Sequence, residues 1–451
     1  MTPQLVEITS FGRGGIHPPT HKELTARSPI EDLPWPGEVW LPLVQHLGEP
    51  AVPIVKKGDT VARGQMIAEG GATGVPIHAS VPGKIKFIDK RPHPTLVTCP
   101  TLVIRHTDET DELAFEEDPA WRALDAAETL ARIQQAGIVG LGGAAFPTWR
   151  KLVLPKGVTV DTFILNGAEC EPYLTADHQL MKVRPREILE GALIMARLVG
   201  ARRLLIGIEA DKRDVIRGFR DAAADTAMDG IQFDVRVCEV RYPQGAERQL
   251  ITALTGRVVP PRALPSAVGV IVQNVATAEA VYEAVRFRRP LIDRVMTVTG
   301  PGIVHPRNLR APLGTLLQDV VAFCGGARDE TTRLIAGGPM MGRALPRLDL
   351  PLIKGMNGLV LLTGRGPFEE GYGPCIQCGR CLDACPLGLE PNQVSIFVEA
   401  GRTLETDPFG TLDCYECGSC TYVCPSERPL LQFMQIAKSA LRRAADLRIV
   451  K

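Results

Sequence analysis

The sequence predicts a multidomain chain of α/β and α+β character, and three observations carry that expectation. Its 451 residues, 45% of them hydrophobic, are enough for about three domains with cores of their own. Between residues 161 and 240, apolar strand patterns alternate with helical ones, as in a layered α/β domain. Near the end, a Cys-x2-Cys-x2-Cys-x3-Cys-Pro pattern occurs twice, in "CIQCGRCLDACP" and "CYECGSCTYVCP". Four units follow in chain order, expected at residues 1–115, 116–290, 291–365 and 366–451.

In the first unit, "VKKGDTVARGQ" and "HASVPGKI" each join a glycine turn to an apolar strand. Together they look like the two halves of a biotinyl/lipoyl-like barrel-sandwich fold. A carrier of that kind holds a modified lysine at the tip between the halves. "GGATGVP" stands there with no lysine, so the unit is expected to dock or brace, not to swing.

The second unit opens on a helical pattern, "DAAETLARIQQA", followed by "AGIVGLGGAAFPTWRKL". Gly140, Gly142 and Gly143, with Ala144 and Ala145, leave backbone that a phosphate or a flavin ring can approach closely. A strand pattern then runs to Asn166 and into an acidic turn holding Glu169 and Glu171, with Asp177 beyond it. Helix "RPREILEGALIMARLVGA", strand "RRLLIGIEA", helix "DKRDVIRGFRDAAAD" and strand "IQFDVRVCEV" complete the alternation. The expectation is a Rossmann-like α/β domain whose ligand loops gather at the carboxyl ends of its strands.

In the third unit, "RVMTVTGPGIVHPRNLRAPLGTLLQDVVAFCGG" combines alternating Val and Thr, a Gly-Pro-Gly turn and one helix, a β-grasp-like pattern. "AGGPMMG" is expected to form a tight loop near the flavin, its two methionines serving packing.

The fourth unit carries the repeated cysteines. Eight of the chain's 12 cysteines crowd between Cys375 and Cys424, a distribution that favours metal over disulfides. Two structural zinc sites would need paired knuckles, not a third cysteine and a proline at this spacing. In the two-cluster bacterial ferredoxin pattern, the last cysteine before the proline reaches across to the other cluster. One [4Fe–4S] cluster is therefore assigned to Cys375, Cys378, Cys381 and Cys424, and the second to Cys414, Cys417, Cys420 and Cys385. The 28 intervening residues contain the helical pattern "NQVSIFVEAG", and the C-terminal "PLLQFMQIAKSALRRAADLRIV" has an apolar face suited to covering this helical module.

Lys+Arg and Asp+Glu balance at 51 each, which gives no electrostatic reason to expect nucleic acid as a partner. Apolar runs are broken before the roughly 18 residues that cross a bilayer, and "MTPQLVEITSFGRGG" lacks a signal-peptide core. The expected location is cytoplasmic.

Four stretches, "GLGGAAFPTWRKL", "LNGAECEPY", "YPQGAERQLITALTG" and "VQNVATAEAV", resemble the flavin and nicotinamide motifs of the NADH-binding flavoprotein subunit of respiratory complex I. That resemblance implies FMN on Gly140, Gly142, Gly143 and Lys151, an acidic turn of Asn166, Glu169 and Glu171, and further contacts from Tyr242, Gly245, Glu247, Asn274 and Thr277. It also implies that the third unit is an SLBB-type β-grasp. Glu171 and Glu247, each read as lying in a loop, are the residues expected to position NADH. Leu141, Ala168 and Ala246 depart from the pattern, which bears on nicotinamide more than on FMN.

With "FGRGGIHPPTHKELT" and the barrel-sandwich stretches, nearly the whole chain resembles the C subunit of the Rnf/Rsx-type electron transport complex. The resemblance implies a peripheral subunit on the cytoplasmic face of the bacterial inner membrane. It would exchange electrons between NAD(H), FMN and two [4Fe–4S] clusters, in a complex that pumps sodium or protons. Its partners would be the other subunits, an iron–sulfur one among them, with ferredoxin, flavodoxin or quinone beyond. A soluble cobalamin reductase shares the flavin and cluster motifs, but the residues before the glycine-rich loop favour the membrane complex. An electron-relay adaptor without nicotinamide chemistry is the third reading, and a flavin spectrum that bleaches with NADH separates it from the others.

Overall fold

The computed structural model describes residues 7–107, 113–366 and 369–449. Its parallel five-stranded sheet runs, edge to edge, Ile8–Thr9, Gln232–Cys238, Arg203–Glu209, Thr162–Gly167 and Val270–Asn274. The Thr162–Gly167 strand is apolar on both faces because helices cover both, the usual condition of a parallel sheet. From that strand the chain steps outward through the next two, then returns to lay Val270–Asn274 on its other side. The strand order thus reverses between Thr162–Gly167 and Val270–Asn274, and open α/β sheets bind ligands in the crevice at such a point. The register sets Asn166 beside Asn274 there, one on each lip.

Local chemistry fixes the flanking helices. Ala126–Gln135 begins at a reciprocal cap between Asp125 and Glu128. Pro185–Leu198 starts on a proline, which gives up no hydrogen bond at that position. It then crosses Val275–Phe287 so closely that a Cβ on Gly191 would lie 1.8 Å from the Ala278 carbonyl oxygen. No side chain fits at that crossing.

A second, six-stranded sheet contains Arg343–Leu345, Thr331–Ala336, Gly358–Thr363, Asp293–Thr299, Arg307–Pro312 and Ile30–Asp32, with the Leu317–Phe323 helix beside it. The barrel-sandwich unit is a four-stranded sheet (Glu38–Pro42, Thr98–His106, Gly83–Pro92, Thr60–Val61) and a three-stranded one (Val52–Pro53, Met66–Glu69, Ile77–His78). Val39, Leu41, Ile67, Ile77, Ile85 and Ile104 are among the buried side chains of its core.

The first part of the chain leaves the unit expected at 1–115. Ile8–Thr9 extends the α/β sheet, and Ile30–Asp32 pairs with Arg307–Pro312. Each short segment pairs part of an edge of its sheet that would otherwise leave N–H and C=O groups unpaired.

The cysteine-bearing module is helical: Arg380–Ala384, Pro391–Glu399, Ser419–Tyr422 and Leu430–Ile449. Val394, Met434 and Ala437 form its small core, so the last helix does cover the module. Among the described residues, no helix is long and apolar enough to cross a membrane.

Candidate functional site

The glycine-rich loop lies over the crevice where the strand order reverses. A Cβ on Gly142 would sit 3.5 Å from Cβ of Asn274, while one on Gly143, at φ +119°, would point into open space. Gly143 therefore combines a backbone shape that favours glycine with room above it. The Leu141 N–H donates to Thr277 Oγ1 at 2.9 Å, and the Leu141 carbonyl accepts from Arg294 Nη2 at 2.6 Å. Thr277 is buried beneath the loop as its clamp. Asn274 caps the Val275–Phe287 helix by accepting from the Ala276 and Thr277 N–H groups, and its amide donates to Asp177 Oδ2 at 2.6 Å. Burial, and then the charge of Glu169, raise the Asp177 carboxyl to about 6.

Across the crevice, the acidic turn spends its polar groups on architecture. Asn166 donates to the Gly245 carbonyl at 2.8 Å. The Glu169 carboxylate accepts from the Asp177 and His178 N–H groups at 2.7 and 3.2 Å, holding the start of the Ala176–Val183 helix. Glu171, expected to meet nicotinamide, accepts from the Met340 and Met341 N–H groups at 3.0 and 2.7 Å. A half-buried carboxylate needs such donors, and loss of hydration still raises it to about 7. The contact is tight, since a Cβ on Gly338 would lie 2.2 Å from Glu171 Oε2. Lys22, buried, reaches in from the N-terminal segment and donates to the carbonyls of Glu169, Glu171 and Leu174 at 2.8, 3.0 and 2.5 Å.

Glu247 opens the Glu247–Thr255 helix instead of lying in a loop. Its Oε1 accepts from Lys151 Nζ at 2.5 Å, and both side chains stay partly exposed, at 38% and 28%. This pair is the polar group that the expected site residues leave open to a ligand.

In the cysteine module, the two loops share one backbone path. Gln377 and Glu416 adopt φ 56° and 67°, and Gly379 and Gly418 adopt 78° and 77°. Cys375, Cys378, Cys381 and Cys424 line a single recess. Cys420 lies within electrostatic reach of Cys417, Cys414 and Cys385. Each group of four is the crossed set read from the sequence. Four thiols around one recess are the donor set that a [4Fe–4S] cluster requires. Backbone N–H groups already face sulfur: Glu416 N–H to Cys414 Sγ and Leu389 N–H to Cys385 Sγ, both at 3.3 Å.

The crevice and the second group of cysteines adjoin. Tyr242, buried, donates its hydroxyl to the Cys417 carbonyl at 2.7 Å. Cys170 of the acidic turn accepts from the Gly245 N–H at 3.2 Å and packs in one cluster with Tyr242, Met340 and Cys417. The segment around Gly14 wedges into the same junction. A Cβ on Gly14 would meet the Cys385 backbone at 2.5 Å, and the Gly15 N–H donates to the Ala384 carbonyl at 2.9 Å.

Most of the expected residues thus share one neighbourhood, but Asn166, Glu169, Glu171, Tyr242, Asn274 and Thr277 hold its walls. Sequence reasoning missed Lys22 and Cys170 as parts of the site; it placed the methionine loop near the flavin but not its bond to Glu171. The only signal for Lys22 and Cys170 was that "HKELT" and "AEC" fell in stretches already singled out.

Comparison with known proteins accords with this layout. Residues 10–109 match the RnfC barrel sandwich hybrid domain, 133–283 the Nuo51 FMN-binding domain, 295–344 the SLBB domain and 374–427 the 4Fe-4S dicluster domain. The C subunit of the proton-translocating ferredoxin:NAD(+) oxidoreductase complex of Clostridium ljungdahlii is 42% identical over 443 residues, covering 97% of this chain and 95% of its own. The C subunit of the ion-translocating oxidoreductase complex of Rhodobacter capsulatus is 43% identical over 440 residues, covering 96% and 84%. The C subunit of the Na(+)-translocating ferredoxin:NAD(+) oxidoreductase complex of Acetobacterium woodii is 39% identical over 428 residues, covering 94% and 96%.

Proposed function

The chain belongs to the family of C subunits of ion-translocating oxidoreductase complexes, and from that premise we propose how its residues serve electron exchange between NAD(H), FMN and two [4Fe–4S] clusters. It acts with the other subunits of such a complex, peripherally, on the cytoplasmic side of the membrane. FMN held there would supply a carrier that accepts one hydride, two electrons at once, from a nicotinamide and releases electrons singly, the form in which a [4Fe–4S] cluster accepts them.

The observation that carries this reading is the junction itself. The acidic turn after Thr162–Gly167 and the loop of Cys417 share one packed cluster, so the crevice and the second group of cysteines adjoin. The open backbone at Gly143 admits the ring or phosphate of the flavin, and Thr277 and Asn274 keep that backbone in place. Lys151 and Glu247 present a cation and a carboxylate at the mouth, suited to a phosphate and to the hydroxyls of a dinucleotide. Glu171 fixes the methionine loop against the junction. The units at 1–115, 116–290, 291–365 and 366–451 then serve as brace, flavin domain, spacer and electron outlet.

The test is the visible spectrum of the anaerobic, flavin-loaded protein after addition of NADH. Flavin bleaching followed by cluster bleaching supports the reading, and Glu247→Gln should raise the NADH concentration needed while flavin content holds. A flavin spectrum unmoved by NADH at full occupancy would overturn it in favour of an electron-relay adaptor.

A further inference from the structure

Tyr415 occupies the second position of the "CYEC" loop, where the duplicated "CIQC" loop has Ile376. The two loops follow the same backbone path, so one position presents two different chemistries. Ile376 is 63% exposed. The Tyr415 hydroxyl, by contrast, is shielded from solvent and has no hydrogen-bond partner among the described residues. A shielded hydroxyl without an acceptor is rare in native proteins and calls for an explanation. Its surroundings supply one, because Tyr415 stands in the loop between Cys414 and Cys417, and the thiols of Cys417, Cys385, Cys170 of the acidic turn and Cys414 all act electrostatically on it. Three of those four sulfurs belong to the same cluster set. Nearby Tyr242 is different, since its hydroxyl is already given to the Cys417 carbonyl.

We propose that the Tyr415 hydroxyl donates a hydrogen bond to a sulfur of the cluster held by Cys385, Cys414, Cys417 and Cys420, and thereby raises that cluster's reduction potential. This rests on the cluster assignment above. Reduction adds negative charge that is shared by the cluster sulfurs, and a fixed donor stabilises the more negative state. Ile376 offers the twin cluster no such donor. The cluster beside the flavin crevice thereby has its readiness to accept an electron tuned by the Tyr415 side chain.

The experiment is an EPR-monitored redox titration of the anaerobic holoprotein, wild type against Tyr415→Phe, with iron and flavin content measured in parallel. Phe keeps the ring and removes only the donor. At a fixed ambient potential near the midpoint, the reduced-to-oxidised ratio of this cluster should fall about tenfold, a shift of ~59 mV for a one-electron centre. The other cluster should not move. Should Tyr415→Phe fail to assemble the cluster, 3-fluorotyrosine at position 415 decides the matter. A more acidic phenol donates more strongly and should shift the midpoint upward. Full iron content with an unchanged midpoint in whichever variant assembles would overturn the proposal while leaving the cluster assignment intact. Iron content that shows no second cluster in the wild type would overturn the assignment itself, and this proposal with it.

Discussion

The hydroxyl of Tyr242 and the carbonyl of Cys417 meet at 2.7 Å across 175 residues of sequence, joining the flavin domain to the loop of the second cysteine group. Tyr242→Phe removes the donor to that part-buried carbonyl, at a cost of about 0.5–1.5 kcal/mol. The midpoint for loss of the cluster signal on heating should fall, and flavin-to-cluster transfer should slow, with flavin content unchanged. Identical melting and identical transfer rates would show that the bond holds nothing together.

The proposed crossed ligation has a sharp consequence. Cys424→Ser should damage the cluster whose other ligands are Cys375, Cys378 and Cys381, the residues with which Cys424 lines one recess. Iron should drop from about eight per chain to about four. Loss of the EPR signal belonging to Cys414, Cys417 and Cys420 would reverse the assignment.

Gly143→Trp should abolish the yellow colour and spare the clusters. The glycine's φ of +119° disfavours any side chain, and the space above it is the room a flavin needs. Retained flavin would mean that the loop is merely a turn.

Glu171 predicts a dependence on pH. Its carboxyl, near 4.5 when unfolded, is raised to about 7 by the loss of hydration in the folded protein, so the folded state holds the proton more tightly. Stability should therefore decline as pH rises from about 4.5 to about 7, where the folded protein binds more protons than the unfolded one. The loss should be complete above 7 and on the order of 3 kcal/mol. Glu171→Gln should flatten that part of the curve of melting temperature against pH, leaving the slope due to Asp177. Parallel curves for the two proteins would rule out Glu171 as the titrating group.

The parts of the site that could be read from sequence are those whose chemistry is local. Cysteine spacing reports a loop and its ligands, because two intervening residues decide how thiols converge. Alternating strands and helices around Thr162–Gly167 report a crevice for the same reason. What escaped was contact at long range. Nothing near Lys22 marks it as the brace of a turn some 150 residues away, and a glutamate in a turn reads as a ligand until the methionine loop is placed over it. Ile8–Thr9 and Ile30–Asp32 were equally hidden, since strands of two and three residues are too short to show alternation.

On the proposed function, the packing of Cys170 and Tyr242 against Cys417 routes electrons between the flavin crevice and the cluster of Cys385, Cys414, Cys417 and Cys420 before they reach the cluster of Cys375, Cys378, Cys381 and Cys424. Freeze-quench EPR after mixing the anaerobic protein with NADH tests it directly. The signal of the first of these clusters should rise ahead of the second, and Cys417→Ser, which disables the first, should leave the second oxidised while the flavin still bleaches. Reduction of the second cluster at the wild-type rate in Cys417→Ser would contradict the route.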